Sequence, residues 1–340
     1  MQPNPFTIFL VAAALVAAAS ARAETMLNHA RLMHLLTCGV VTDEDDYSKA
    51  DRHGNLAAFG ADFCKALGAA ALGNDAKLQI LAYRDEPEGL RGVRAGAVSV
   101  LVGATPNVEN AAALAVGFGP VLFYDGQGFL VAKKSGIATL QDFAGKQVCF
   151  ISGTDAEAAL SSTFGLRKIA YLPFPFEERG EMEAALFTGH CQAITGDVSE
   201  LAGFRRMFRA RARDFTIVPG TIAKDPFAPA YRLGDPQWAA IVSWTANALI
   251  EAEEDGVTAA NVEAMTNSED QRVRLLLGTT PGIGRTLGLD DAWAERAIAV
   301  VGNYGEMYER DVGRSSPLKL ERGLNALWTQ GGLIYAQPLH

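Results

Sequence analysis

From Leu35 onward the chain alternates short apolar runs with amphipathic stretches, and this alternation restricts the fold more than any single motif does. The apolar runs Leu35–Val41, Leu78–Ala82, Val98–Val102, Gln147–Ile151 and Ala193–Thr195 predict strands, the last leading straight into Asp197. Between them the period changes. Over Asn55–Ala71, Phe59, Phe63, Ala66, Leu67 and Ala70 recur at i, i+4, i+7, i+8 and i+11, the spacing of one helix face. Helices are likewise predicted over Asp155–Phe164, Pro236–Glu254 and, as one long element, Asp290–Glu309. Strands alternating with helices imply α/β units built on mostly parallel sheets, because a parallel pair needs a crossover and a helix commonly supplies it.

Two stretches interrupt the alternation and look like passages between lobes. One is Tyr124-Asp125-Gly126-Gln127-Gly128-Phe129, continuing through Leu130 to Lys134. The other is Thr216 to Arg232, with Pro219, Pro226 and Pro229. Two passages make the first lobe discontinuous, residues 24–128 plus 225–340, and leave 129–224 as the second. A cleft between two such lobes, lined by strand C-termini and helix N-termini, is the natural place for a small ligand.

The length of 340 residues, 49% of them hydrophobic, suits two domains of ordinary size. A net charge of −9 argues against a nucleic-acid surface, which needs a basic stripe. The densest basic run, Arg205, Arg206, Arg209, Arg211 and Arg213, reads as the solvated face of a helix, with a docking patch for a membrane partner as the alternative. At the N-terminus, Phe6–Ala19 is apolar but too short to span a bilayer comfortably, and Ala21-Arg22-Ala23 offers small residues for cleavage before Glu24. Residues 1–23 are therefore expected to be a signal peptide and the mature chain periplasmic, an uncleaved anchor being the alternative.

Export changes the meaning of the four cysteines, Cys38, Cys64, Cys149 and Cys191. None forms C-x-x-C, and in an oxidising compartment an even number suggests disulfides. Of the three possible pairings, Cys38–Cys64 with Cys149–Cys191 is favoured because each bridge then stays within one lobe. Buried free thiols are the competing reading.

Enzyme signatures are missing: no G-x-S-x-G, H-E-x-x-H or Walker A sequence occurs. The five histidines, His29, His34, His53, His190 and His340, are scattered without metal-ligand spacing, so neither a metal nor another cofactor is expected. Gly282 to Gly288 has one residue too many for G-x-G-x-x-G and follows a helical run, Arg272–Leu277, so it reads as a loop.

Several longer stretches carry a family resemblance. They are Cys38-Gly39-Val40, Asp62-Phe63-Cys64, Ser152-Gly153-Thr154, Gly234-Asp235-Pro236-Gln237-Trp238, Val300-Val301-Gly302-Asn303-Tyr304-Gly305-Glu306 and Arg322-Gly323-Leu324-Asn325-Ala326-Leu327-Trp328, together with the Tyr124–Phe129 passage and Val148-Cys149. Over about Leu35 to Pro338 the chain resembles the periplasmic solute-binding proteins of general L-amino-acid ABC transporters. The resemblance implies the two-lobed periplasmic-binding-protein fold, closure around a small solute, delivery to a membrane permease, and a monomer that is not an enzyme.

In that family an Arg near the end of lobe 1 clamps the ligand α-carboxylate, helped by hydroxyls and a helix N-terminus in lobe 2, while an Asp in lobe 2 takes the α-amino group. Here the Asp is kept as Asp197, the helix-start hydroxyl as Thr154, and a ligand-packing aromatic as Phe59. The clamping Arg aligns near Asn110, and no Arg lies between Arg94 and Arg167. Asp155 stands where a second hydroxyl is usual, and Asp43-Glu44-Asp45-Asp46-Tyr47 replaces an apolar turn, bringing Tyr47 to the rim.

These changes matter in magnitude. An Arg–carboxylate hydrogen bond contributes roughly 1.5–3 kcal/mol. An Asp about 4 Å from a ligand carboxylate repels it by about 4 kcal/mol at an effective dielectric of about 20. Together they would cost the usual pose roughly three orders of magnitude in affinity, unless another cation such as Lys133 or Lys134 moves in. The expected ligand set is thus Asp197, Thr154, Asp155, Phe59, Tyr47 and Asn110. The expected cargo is an amino acid or related polar solute, with a cationic solute such as a polyamine, or a non-transporting sensory role, as alternatives. For Asp155 and the 43–46 run, helix capping and a solvated loop are the plainer readings.

Overall fold

The computed structural model describes residues 25–42, 56–75 and 77–339. The signal peptide expected at 1–23, and Tyr47 with the acidic run before it, lie outside the described residues.

The chain opens with helix α1, Met26–Met33, capped by Thr25, and enters strand β1, Leu35–Val41. Helix α2, Leu56–Leu72, follows, then β2, Lys77–Tyr83, helix α3, Glu86–Ala95, and β3, Val100–Ala104. A short helix α4, Val108–Leu114, leads to β4, Val116–Phe118, and β5, Phe123–Asp125. One residue later β6, Gln127–Ala132, joins a different sheet. There the chain adds β7, Gln147–Ile151; α5, Asp155–Arg167; β8, Leu172–Phe176; α6, Arg179–Thr188; β9, Ala193–Asp197; α7, Val198–Met207; and β10, Phe215–Ile217. Strand β11, Asp225–Arg232, returns to the first sheet and is followed by α8, Pro236–Glu254. Three short helices, α9 (Val262–Met265), α10 (Gln271–Leu276) and α11 (Ile283–Leu287), precede α12, Trp293–Val301, and α13, Tyr304–Asp311.

The first sheet runs β2-β1-β3-β11-β4, with β5 also on β11; the second runs β10-β6-β9-β7-β8. Pairing is parallel where βαβ units build the sheet, β1 with β2 and β3, and β7 with β8 and β9. It is antiparallel for β6, β10 and β11, the strands that carry the chain between sheets. The strands beside the passages run back against the βαβ units, so each sheet is mixed.

Both faces of both sheets are covered. In the first, α2 is buried along nearly its whole length between β1, β3 and α12. Its small residues permit that depth: Gly60 sits where a side chain would press on Val102 and Val40. Trp238 of α8 is buried in the same core and donates its indole N–H to Ser99 O at 2.8 Å, which satisfies the one polar atom it carries inward. In the second sheet, Phe129, Phe143 and Phe164 pack one face and Leu130, Ile194, Leu201 and Phe215 the other. The disulfides are Cys38–Cys64, tying β1 to α2, and Cys149–Cys191, tying β7 to the turn before β9. Each stays beside its own sheet, as expected.

Three sequence expectations need correction. The helix expected over Asp290–Glu309 is two helices, broken at Gly302, whose φ of 83° would strain a side chain, and restarted by Asn303. Asn303 accepts from Glu306 N at 2.9 Å while the Glu306 carboxylate accepts from Asn303 N at 2.9 Å, a reciprocal cap. The Gly282–Gly288 segment is not a loop throughout but holds α11. The arginine run is not one solvated face: Arg205 is half-buried and donates to Leu318 O at 2.8 Å, Arg206 is half-buried, and Arg209–Asp214 forms a separate 3-10 turn.

The two passages meet. A Cβ at Gly126 would stand 2.2 Å from the Ala223 carbonyl oxygen, so only glycine lets the first passage pass under the second. Asn325 holds the same place from outside, accepting from Tyr124 N at 2.6 Å and donating to Tyr124 O at 3.1 Å. Nearby, Arg322 pairs with Glu253 at 3.0 Å and lies over the rings of Tyr304 and Tyr308 at 5.2 and 4.7 Å. The conspicuous C-terminal segments thus brace the scaffold beside the passages.

Candidate functional site

A cleft of about 630 Å³ lies between the two sheets. From the first sheet's side it is lined by Glu86, at the start of α3; Thr105, just past β3; and Asp225, the first residue of β11. From the second it is lined by Thr154 and Asp155 at the start of α5, Arg179 at the start of α6, and Asp197 with Glu200 around the β9–α7 junction. Strand ends and helix starts converge on it, as the alternating pattern implies.

Asp197 closes β9, its backbone paired with Gln127 of β6. It precedes α7 but its side chain makes no capping bond, so the carboxylate is left to the cleft. Burial pushes its pKa up to about 7, and repulsion from Asp125, Glu200 and Asp225 adds to this, partly offset by Arg179. Asp125, just behind it, is buried and pushed up to about 6, although hydrogen bonds from Gly126 and Ser199 favour its charged form.

Across the cleft, Thr105 links two more carboxylates. Its N–H donates to Glu86 Oε1 at 3.1 Å and its hydroxyl to Asp225 Oδ1 at 2.8 Å. Burial raises the pKa of both acids, and each feels another carboxylate, Glu86 from Asp225 and Asp225 from Asp155. At the helix start, Thr154 caps α5, accepting from Glu157 N at 3.4 Å and donating to Ile151 O at 2.7 Å. Asp155 is therefore the first helical residue, not the cap, and stands exposed at the cleft wall. Gln127 fastens the floor, donating to Thr195 Oγ1 and Ala156 O, both at 2.8 Å.

Among the described residues, six carboxylates line this cleft: Glu86, Asp155, Glu183, Asp197, Glu200 and Asp225. The cations among the described residues are Arg179, bonded to Glu200 at 2.8 Å, and Lys224, with Arg206 on the adjoining groove. Such an arrangement can hold ammonium or guanidinium groups from both sides. No group of His, Cys, Asp and Glu among the described residues is arranged to hold a metal ion.

Of the residues expected from sequence, Asp197, Thr154 and Asp155 come together in the cleft. Phe59 does not: it is 2% exposed and packs edge-on against Phe123 and Tyr304. The helical period shows which face of α2 is apolar, but not that the core covers it completely. Asn110 does not line the cleft either. Its amide donates to Glu86 Oε1 at 2.6 Å and Thr105 O at 3.0 Å, which holds Glu86 beside Thr105. Lys133 and Lys134 lie in a separate groove of about 430 Å³ with Arg211 and Arg213, and supply no charge to the cleft. Glu86, Thr105, Arg179 and Asp225 were missed. The available signal was positional: Glu86 and Thr105 closely follow strands β2 and β3, and Asp225 opens the return strand.

Proteins of known name resemble the chain over nearly its whole length. The general L-amino acid-binding periplasmic protein AapJ of Rhizobium johnstonii is 40% identical over 331 residues, covering 96% of each chain. The glutamate/glutamine/aspartate/asparagine-binding protein BztA of Rhodobacter capsulatus is 37% identical over 340 residues, covering 99% of each. Among solved structures, an ABC-transporter periplasmic binding protein from Brucella ovis with glutathione bound has a TM-score of 0.78 at 36% identity, covering 93% of this chain and 99% of that one. No protein-family profile matches the chain.

Proposed function

The chain belongs to the family of periplasmic amino-acid-binding receptors of ABC transporters, and on that premise we propose that it captures a small polar solute of the amino-acid class in its cleft and presents it to a membrane permease. Lobe 1, residues 24–128 plus 225–340, and lobe 2, residues 129–224, close on the solute by bending where the two passages meet at Gly126 and Ala223. One observation carries the reading: the cleft gathers polar side chains from both lobes, Glu86, Thr105 and Asp225 facing Thr154, Asp155 and Asp197. A solute touching both sets favours the closed form by its differential contacts.

Within the cleft, Asp197 takes an ammonium group and the start of α5, with its N–H groups and Thr154, faces polar or anionic parts of the solute. Arg179 and Lys224 are the cations among the described cleft residues for a carboxylate. The mature chain, released from residues 1–23, acts in the periplasm as a monomer and binds without chemistry. No helix among the described residues is long and apolar enough to cross a membrane.

The test is a thermal-shift screen of the mature protein against the common L-amino acids and small amines. A ligand at about 100 times its Kd stabilises the fold by about 2.7 kcal/mol. Binding that is lost in Asp197→Asn supports the cleft as the site. Binding untouched in that variant and in Thr154→Val removes the proposed site, and no shift with any of these solutes removes the receptor reading.

A further inference from the structure

We infer that the cleft selects solutes of net positive charge, a basic amino acid or a diamine, through ammonium or guanidinium groups held between Asp197 and the Glu86–Asp225 pair. This rests on the reading of the cleft as the solute site, and adds the charge class of what enters it.

The argument starts from acceptors left over after the internal hydrogen bonds are counted. Glu86 receives Thr105 N and Asn110 Nδ2 on the same oxygen, Oε1, and Asp225 receives Thr105 on Oδ1 alone. Glu86 Oε2 and Asp225 Oδ2 accept from no donor among the described residues, and neither oxygen of Asp197 does so. Three carboxylates, from two lobes, thus line one cavity with unused acceptors. A carboxylate is acceptor-only when ionised, so its complement is a donor-rich cation.

Two cations line the cleft among the described residues, Arg179, engaged with Glu200, and Lys224, against six carboxylates. The groups that contact Glu86 and Asp225 directly, Thr105 and Asn110, are neutral. Burial and mutual repulsion hold Asp197, Asp225 and Glu86 above the usual carboxylate range, as expected where like charges share a low-dielectric space. A cation between them reverses both effects. A neutral amino acid brings one ammonium for these acids together with a carboxylate that Asp155 repels. A solute with a second cationic group serves both sides of the cleft.

Isothermal titration of the mature protein at pH 7.5 with L-arginine, L-lysine, putrescine, L-alanine and L-glutamate tests this. At least one of the first three binds at least tenfold tighter than alanine or glutamate, and arginine against putrescine separates basic amino acids from diamines. The double variant Glu86→Gln/Asp225→Asn, with its fold checked by thermal unfolding, reduces that preference at least tenfold. Alanine or glutamate binding as tightly as every cation, with binding lost in Asp197→Asn, overturns the inference and leaves the receptor reading intact. A cation preference unchanged in the double variant also overturns it. Failure of all five solutes to bind overturns the inference, and the receptor reading then rests on the full panel of L-amino acids and amines.

Discussion

Replacing Asp197 by Asn should stabilise the fold while weakening solute binding. Its carboxyl moves from an ordinary value of 3.8 to about 7 on folding, chiefly through burial. The raised pKa means that the folded state holds the proton more tightly than the unfolded state. Stability is therefore full below pH 3.8 and is lost as pH rises through 7. At pH 8 the whole shift counts, and at about 1.36 kcal/mol per pH unit it costs the fold about 4 kcal/mol. At pH 4 only about 0.5 kcal/mol remains, because the folded group is still neutral and the unfolded one is half ionised. The groups that set the field are Asp125, Glu200 and Asp225 against Arg179, and asparagine keeps the shape while removing the charge they repel. Urea unfolding of both proteins at pH 8 and pH 4 measures the difference directly. A gain of 2–4 kcal/mol at about pH 8 that shrinks below about 1 kcal/mol at pH 4 is expected. Equal gains at both pH values, or none at pH 8, would refute the electrostatic account of the cleft. Stability held back at a binding residue is a common trade against function.

Three other outcomes follow from the same structure. Phe59→Ala should cost about 3–5 kcal/mol in chemical denaturation, as a fully buried aromatic does, with solute affinity of the folded protein within about twofold of the parent; a large loss of affinity without loss of stability would return Phe59 to the ligand. Arg322→Ala leaves Glu253 half-buried without its partner and strips the cation from Tyr304 and Tyr308, so the fold should lose about 3–5 kcal/mol, read by the same unfolding curves. The bridges Cys38–Cys64 and Cys149–Cys191 close loops of 26 and 42 residues, worth about 3.5 and 4 kcal/mol by chain entropy; serine replacement of each pair, compared under identical conditions, should lower the urea midpoint accordingly.

The scaffold was largely legible because its signals are local. Strand and helix periods in β1, α2, β7, α5 and α8 come from which face of each element meets the core, and that pattern is written in neighbouring residues. The break at Gly302 was concealed for the same reason: Ile298, Val301, Tyr304 and Tyr308 keep a helical spacing across it because both helices bury the same side. Asn303 and Glu306, three apart after a glycine, carried the stop-and-start signal, which periodicity alone does not weigh. In the site, Asp197, Thr154 and Asp155 were named through the family resemblance, and all three sit at element ends. Phe59 and Asn110 could not be judged, since one depends on how deeply α2 is covered and the other on which acid its amide meets.

The order of elements, the two passages, the export-style N-terminus, the within-lobe cysteine pairs and the kinship to amino-acid receptors were all readable in the chain itself. They are properties of composition, spacing and short motifs, which persist whatever the neighbours in space. Tertiary structure decided the character of the cleft. Glu86, Asp197 and Asp225 are far apart in sequence, and only the folding of two mixed sheets against each other brings their charges within one low-dielectric space. Charge interacts through distance, not through sequence separation. The same acids that look like scattered surface residues in the sequence become, once folded, a field able to choose a ligand.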